Sequence, residues 1–191
     1  MERILTTGIK KIDPNKFKAI SYSASKFWDT NWVTNKPDGG LWGSTYTPEE
    51  NYPSDWVDWC VGDFYNTSSC RFGVSYELNP NGRVCEITSV EDYRSMMKTY
   101  GRSQFSPADN APKWGNITTI DWVKLAKDYD AFHITRDAFL QMRLPSDAIL
   151  ELEHGYLANF YAYDCESWII FNLDCIDPVT IRNHTFSFDE Y

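Results

Sequence analysis

A polar cluster at residues 164–167, Asp-Cys-Glu-Ser, directly precedes an apolar run at residues 168–171. The run is short and rich in aromatic and β-branched residues, which is typical of a strand that is buried on both faces. Glu166 is therefore expected at the mouth of a buried strand. A carboxylate held there is desolvated and fixed in direction, as catalytic and ligand-binding carboxylates are. The alternative is that Asp164 and Glu166 are loop acids that face water.

Other common site signatures are missing from the sequence. His133, His154 and His184 lie far apart, with no HExxH or Cys/His spacing, so no metal site is expected. Neither a GxGxxG nor a GxxxxGK[ST] stretch occurs, and no GxSxG elbow is present, which disfavours a Rossmann site, a P-loop and a serine hydrolase. His133 with Thr135 matches one half of the paired HxT signature of two-histidine phosphodiesterases, but His184-Thr185-Phe186 does not supply the second half.

Composition narrows the classes of partner. The formal net charge is -9 and the acids are spread along the chain without a Lys/Arg run, so binding in a groove of duplex nucleic acid is not expected. A small phosphate-bearing ligand needs only a few donors and stays compatible with this charge. Aromatic residues make up 16% of the chain, which suits either a thick core or a cleft lined for ring-shaped ligands.

The same composition bears on localisation. No uninterrupted apolar segment reaches the ~18 residues that a membrane span needs, and the start of the chain has no apolar leader region. We therefore expect no membrane association and a cytoplasmic protein. The five cysteines form an odd set with no CxxC pair, and free thiols are expected.

Periodicity and turn residues predict many short strands with interspersed helices. Ser54 and Ser89 are expected to cap two of the helices, Thr118 with Asp121 repeats the cap pattern, and the Asn-Pro-Asn-Gly turn at 79–82 is expected to join two strands as a hairpin. Strands are predicted at residues 17–23, 41–44, 71–78, 83–87, 129–135, 168–171 and 179–188, and helices at 55–62, 90–100, 120–129 and 138–142. Without a regular βαβ rhythm, this order favours one α+β domain spanning the whole chain.

Two stretches in this order resemble motifs of the ADP-ribosyltransferase superfamily, in its compact bacterial and poly(ADP-ribose)-polymerase-like branch. The stretch from Gly40 to Ser44 is similar to the family's Gly-x-aromatic-x-small segment, which lines the nicotinamide pocket. The stretch from Glu166 to Ile176 is similar to the family's late glutamate and the strand that follows it. The resemblance implies a split, mostly antiparallel sheet with flanking helices, and NAD as a substrate.

The resemblance also implies roles for individual residues. Glu166 is expected to hydrogen-bond the 2′-hydroxyl of the nicotinamide ribose and to stabilise the oxocarbenium-like transition state as nicotinamide leaves. Trp42 or Tyr46 is expected to stack on the nicotinamide ring, and Ser44 to position the ribose. Ser23, at the end of the predicted first strand, is expected to contribute to the same NAD site. The implied function is transfer of ADP-ribose to a protein or nucleic-acid group, in a setting such as a toxin or a phage protein.

The chain departs from the family pattern at one position. The family places an Arg or His, usually followed by Gly, at the end of the first strand, where residues 21–23 here read Ser-Tyr-Ser. Arg3, Arg71 and Arg136 are candidates to replace it from elsewhere. This departure keeps open a non-catalytic binding protein that uses the same aromatic cleft for a nucleotide or a protein partner. A hydrolase or phosphotransferase on a related scaffold is a third alternative, because fold does not fix function.

Overall fold

The computed structural model describes residues 2–21, 35–104, 116–143, 151–152, 155–158, 160 and 163–188. The strands are β1 (Arg3–Thr7), β2 (Leu41–Thr45), β3 (Phe72–Glu77), β4 (Val84–Ile87), β5 (Gly101–Gln104), β6 (Asn116–Ile120), β7 (Ala131–Ile134), β8 (Glu151–Leu152), β9 (Gly155–Leu157), β10 (Ser167–Ile170) and β11 (Arg182–Thr185). The helices are α1 (Asp55–Gly62), α2 (Thr67–Cys70), α3 (Val90–Tyr100), α4 (Trp122–Asp128) and α5 (Arg136–Arg143). Short 3-10 turns occur at Pro14–Lys16, Leu173–Cys175 and Pro178–Thr180.

The described strands form two sheets. The larger sheet has seven strands in the order β11-β3-β1-β2-β10-β7-β4, and the smaller has four in the order β5-β6-β9-β8. Every neighbouring pair in the larger sheet is antiparallel except β4 with β7, which is parallel. The prediction of an α+β fold with mostly antiparallel strands is therefore confirmed. Within the described residues, none of the helices combines the length and the apolar content needed to cross a membrane.

Alternate residues of the central strands enter two different cores, one on each face of the larger sheet. Phe132 and Ile169 pack in a cluster with buried side chains from α3, α4 and α5. Their neighbours Ala131, Trp168 and Ile170 pack in a second cluster. After β10, Leu173, Cys175 and Ile176 join this cluster. The period of two along a strand puts successive side chains on opposite faces, so β7 and β10 are buried on both sides, as predicted for residues 168–171.

Helix starts follow the local cap chemistry. The Ser54 hydroxyl accepts from Val57 N at the start of α1, and the Ser89 hydroxyl accepts from Asp92 N at the start of α3. Both caps were predicted, and each satisfies a backbone N–H that the helix leaves free. The cap of α4 is Asp121 rather than Thr118, because residues 116–120 are paired in β6 instead of leading into the helix.

Two strand predictions are wrong. The first strand lies at Arg3–Thr7, whereas residues 17–20 are not in a strand and Ser21 makes only an isolated bridge with Asp38. β3 and β4 do not form a hairpin: β3 pairs with β1 and β11, and β4 pairs with β7. The turn at residues 79–82 does form, but it leads the chain to another part of the sheet. Pairing with strands distant in sequence therefore overrides the local turn signal.

Gly43 allows β1 and β2 to approach closely. A Cβ at this position would lie 2.8 Å from Ile4 Cγ2 and 2.9 Å from the Leu5 carbonyl oxygen. Ordinary Cβ contacts are longer than this, so any larger residue at position 43 pushes β2 away from β1.

We expect Gly43→Ala to lower the free energy of unfolding by roughly 1 to 3 kcal/mol, because the added methyl overpacks a buried strand pair. Gly62→Ala is the matched control, since a Cβ there meets nothing within 4 Å at the end of α1. The control is expected to leave stability unchanged or to raise it by up to about 1 kcal/mol through helix propensity. Urea unfolding of both variants checks this, and equal midpoints would contradict the close-approach role.

Candidate functional site

Three neighbouring strands meet at one end of the larger sheet and place polar side chains together. β10 lies between β2 and β7, with Trp168 opposite Gly43 on one side and opposite His133 on the other. Glu166 directly precedes β10, so it lies beside the last residue of β2, Thr45, and beside the end of β7. The predicted place of Glu166, at the mouth of a buried strand, is confirmed.

The Glu166 carboxylate is buried, with the residue 5% exposed, and it accepts four hydrogen bonds. Ser44 Oγ and Thr45 N donate to Oε2 at 2.5 and 2.9 Å. Thr45 Oγ1 and His133 Nε2 donate to Oε1 at 2.8 and 2.7 Å. Two donors on each oxygen match the acceptor capacity of an ionised carboxylate. The alternative of a loop acid facing water is therefore wrong for Glu166.

The hydroxyl of Thr45 has its direction fixed by a second contact. Trp168 Nε1 donates to Thr45 Oγ1 at 3.0 Å, and an indole N–H is a donor only. The hydroxyl proton is therefore free to point at Glu166. Thr45 thus links the Trp168 ring to the carboxylate through one oxygen atom.

His133 lies between two carboxylates and on an aromatic ring. Its Nε2 faces Glu166, and its Nδ1 lies 3.0 Å from Glu86 Oε1 on the parallel strand β4. The imidazole stacks on Trp168 with ring centroids 4.0 Å apart and planes 9° apart. Both ring nitrogens therefore face acceptors, an arrangement that only the doubly protonated imidazolium satisfies.

Glu166 and His133 each shift the pKa of the other. Burial alone lowers the pKa of His133, but the hydrogen bond and charge of Glu166, with Glu86, outweigh it and raise the pKa above the ordinary 6.5. Burial alone raises the pKa of Glu166, but His133, Ser44 and Thr45 outweigh it and lower the pKa below the ordinary 4.5. Glu166 and His133 therefore form a buried ion pair near neutral pH.

An open cleft of about 230 Å³ lies against this ion pair. Its lining residues are Glu2, Thr45, Thr47, Glu50, Asp55, His133, Thr135, Arg136 and Glu166. Arg136, the first residue of α5, ion-pairs with Asp55 at 3.0 Å and keeps a largely exposed side chain. Of the three arginines considered from the sequence, Arg136 reaches this cleft, whereas Arg3 bonds to Ser75, Glu77 and the Thr180 carbonyl.

The structure brings some of the predicted site residues together. Ser44 donates a hydrogen bond to Glu166. Trp42 packs on Tyr163 with ring centroids 5.5 Å apart, and Tyr46 packs on His184 at 4.9 Å, so neither lines the cleft beside Glu166. Ser23 lies outside the described residues. The roles assigned to these residues in NAD binding stay predictions.

Sequence reasoning missed Thr45, Glu86 and His133 as members of the site. His133 was considered only as a metal ligand and as half of a paired HxT signature. Its place near the end of a predicted strand was the available indication, because the end of a strand opens onto a sheet edge. The contact with Glu86 had no such indication, since it depends on the parallel pairing of β4 with β7.

Among the described residues, one group has ligand atoms close enough together to hold a cation. Glu2, Glu86 and His133 Nδ1 offer atoms within 4.8 Å of one another. Both glutamates are exposed, and the proton on Nδ1 accounts for the 3.0 Å distance to Glu86. The geometry therefore gives no reason to assign a metal to this group.

Comparison with known proteins adds no relative. No family model matches this chain. Searches of curated proteins and of solved structures likewise gave no match. What the cleft does is therefore inferred from its own residues and their chemistry.

The ion pair makes stability depend on pH in both directions. Because its pKa is lowered on folding, Glu166 stabilises the fold above its ordinary value of 4.5, and this is lost as pH falls through its folded pKa. Because its pKa is raised, His133 stabilises the fold below its ordinary value of 6.5, and this is lost as pH rises through its folded pKa. We expect the free energy of unfolding, measured by urea titration, to be highest between about pH 4.5 and 6.5.

Variants of His133 and His184 show which histidine causes the loss of stability above pH 6.5. His133→Gln keeps a donor for Glu166 but does not titrate, so the loss of stability above pH 6.5 should flatten. His184→Gln should keep that loss, because burial and Arg3 lower the pKa of His184 and give it the opposite pH dependence. An unchanged alkaline loss in His133→Gln would contradict the buried ion pair.

Proposed function

We propose that this protein transfers ADP-ribose from NAD to a macromolecular acceptor, with Glu166 as the carboxylate that stabilises the developing positive charge. One observation carries the proposal. The stretch that ends in Ser44 and the stretch that begins with Glu166 are 122 positions apart in sequence, yet Ser44 Oγ donates to Glu166 Oε2 at 2.5 Å. The two segments on which the family resemblance rests therefore form adjacent strands around one carboxylate.

Cleavage of the bond between nicotinamide and ribose requires a fixed negative charge near the ribose. The bond between the nicotinamide nitrogen and the ribose anomeric carbon breaks, and its electron pair leaves with nicotinamide. Positive charge develops on the ribose ring, and the acceptor then bonds to the anomeric carbon and loses a proton. A preorganised anion beside the ring stabilises this charge without reorganising at the moment of reaction. Glu166 meets this requirement because four donors hold it ionised and in one orientation.

The four donors also refine the role expected for Glu166. Because both oxygens already accept two hydrogen bonds, the carboxylate contributes mainly its charge in this proposal. Thr45 and His133 line the cleft beside it, but their protons are already donated to Glu166 and Glu86. The Thr45 hydroxyl oxygen accepts one hydrogen bond from Trp168 and can accept a second from a ribose hydroxyl. In this proposal the Thr45 oxygen accepts from the 2′-hydroxyl in place of Glu166.

Arg136 is the cation that suits the diphosphate of NAD. The family's Arg or His belongs at the end of the first strand, which here reads Thr7-Gly8. Ile4, near the start of β1, is the residue that pairs with Thr45, so the end of β1 points away from Glu166. Arg136 instead reaches the cleft from the start of α5, and a guanidinium presents a planar fork that matches phosphate oxygens.

A second candidate is a non-catalytic protein that binds a nucleotide or a protein partner in the same cleft. The observation that favours it is the saturation of Glu166, whose four hydrogen bonds all come from inside the protein. A carboxylate held in this way also stabilises the junction of three strands. The two candidates differ in one measurable respect, which is whether bound NAD is cleaved.

The decisive measurement is nicotinamide release from NAD, followed by chromatography, in the presence of a whole-cell protein extract as a source of acceptors. We expect release by the wild-type protein, and a fall of about 10²- to 10³-fold in Glu166→Gln, because one preorganised charge is removed from the transition state. Glu49→Gln is the matched control. It removes one negative charge from an exposed position, and release should stay at the wild-type rate.

A second variant keeps the test valid if Glu166→Gln fails to fold. Arg136→Ala changes a largely exposed side chain, so the fold should persist while the KM for NAD rises. Absence of nicotinamide release by the wild-type protein, together with a thermal shift on adding NAD, would establish the binding candidate instead. Absence of both release and shift would overturn the use of NAD altogether.

A further inference from the structure

α1 and the turn after it carry an aromatic surface, which we define as Trp56, Trp59, Phe64 and Tyr65. Trp56 and Trp59 are half-buried against the core, whereas Phe64 and Tyr65 are exposed. Phe64 is 77% exposed and Tyr65 is 53% exposed. The described residues include four large apolar side chains with this degree of exposure, and two of them are these neighbours in sequence. An exposed aromatic pair of this kind marks an interaction site more often than a structural need.

The aromatic surface is held in a defined shape. The rings of Trp56 and Trp59 stack with centroids 5.1 Å apart and planes 20° apart, and Tyr65 contacts both at 6.3 and 5.4 Å. The backbone fixes Tyr65 as well, because Tyr65 N donates to the Cys60 carbonyl at 2.8 Å. A platform of rings that is ordered before binding loses little conformational entropy when a partner docks.

The stability of the fold does not explain why position 64 is a phenylalanine. Its φ is +55°, in the left-handed region where a helix end usually has glycine and where a bulky side chain is disfavoured. Burial does not compensate for that conformation, since most of the ring is exposed. A residue that is disfavoured both by its backbone and by its surroundings is the kind retained for contact with something else.

The stretch of chain that carries the aromatic surface is acidic. Residues 37–70 contain no Lys, Arg or His, and they contain six acids: Asp38, Glu49, Glu50, Asp55, Asp58 and Asp63. Asp58 and Asp63 are exposed and lie within the same stretch as the aromatic side chains. Such a field repels nucleic acid and anionic lipid and attracts a cationic partner.

We propose that this surface docks an arginine-containing basic segment of a partner protein. A guanidinium stacks on the faces of Trp and Tyr and pairs bidentately with a carboxylate, so arginine uses both features of the surface at once. Lysine presents a compact charge without a planar face and uses only one of them well. Trp, Tyr and Arg are the residue types that most often dominate binding energy at protein interfaces.

The position of the surface relates it to the cleft. Asp55, the first residue of α1, lines the cleft and pairs with Arg136, while the aromatic side chains follow along the same helix and the turn after it. A segment bound along α1 therefore passes the mouth of the cleft. The inference stands without the proposed function, because it depends only on the exposure and charge of α1.

The test is calorimetric titration with two probes, octa-arginine and octa-lysine, at physiological salt. We expect tighter binding of octa-arginine, weakened about tenfold by Phe64→Gly and by Tyr65→Ser. Asp58→Asn with Asp63→Asn should weaken both probes. The matched control is Leu140→Ser with Glu91→Gln, which removes an exposed apolar side chain and an acid elsewhere and should change nothing.

Phe64→Gly separates docking from a structural role. Glycine adopts the left-handed conformation without strain, so the thermal midpoint should stay level or rise while peptide binding weakens. A fall in the thermal midpoint would show that Phe64 packs within its own chain, and would overturn the proposal. Equal effects of the surface and control variants on binding would also overturn it, since they would indicate attraction to the net charge alone. Dimerisation in sedimentation that Phe64→Gly abolishes would assign the surface to a second copy instead.

Discussion

A buried carboxylate that must be fully hydrogen-bonded is the constraint on which this structure depends. Moving an ionised glutamate out of water costs several kcal/mol unless donors replace the lost hydration. Glu166 obtains those donors from Ser44 and Thr45 on one neighbouring strand and from His133 on the other. Meeting that requirement fixes where β2, β10 and β7 stand relative to one another, because a slip of one residue would turn the donors to the opposite face of the sheet. The same hydrogen bonds that join the strands also create a charged group with a fixed direction at the edge of the sheet.

The single parallel pair in the larger sheet completes the electrostatics of the site. Because β4 runs parallel to β7, Glu86 lies opposite His133 and accepts from its second ring nitrogen. The imidazolium is therefore held between two carboxylates and against the face of Trp168, and each contact favours its charged form. The cleft beside it is acidic on balance, with Arg136 as the cation that opens onto it. A site of this kind holds a buried carboxylate and an imidazolium side by side, with the orientation of each fixed by hydrogen bonds.

The features predicted correctly from the sequence are those with local causes. The caps at Ser54 and Ser89 act over three residues, so α1 and α3 begin where the sequence places them. The apolar run at 168–171 has a composition that only a buried strand accommodates, and β10 is buried at every residue. The hairpin prediction failed because strand pairing is decided by partners distant in sequence. Residues 79–82 turn as expected, yet β4 gains more from packing beside β7 than from returning along β3. The first strand was missed for the same reason, since residues 3–7 are buried only when β2 and β3 lie on either side of them.

The candidate site also has some features with local causes and others that depend on residues distant in sequence. The sequence alone determined that Glu166 lies at the mouth of a buried strand, that Ser44 lies in a glycine-containing strand, and that the fold mixes helices with strands. These follow from composition and spacing within a few residues of each group. Only the tertiary structure decided that Ser44 donates to Glu166, that His133 is the counter-ion of that carboxylate, and that Trp42 and Tyr46 pack elsewhere. Each of these depends on the order and register of strands, which is set by the burial of whole faces and by the hydrogen-bonding needs of one buried charge, and neither can be read from a single segment.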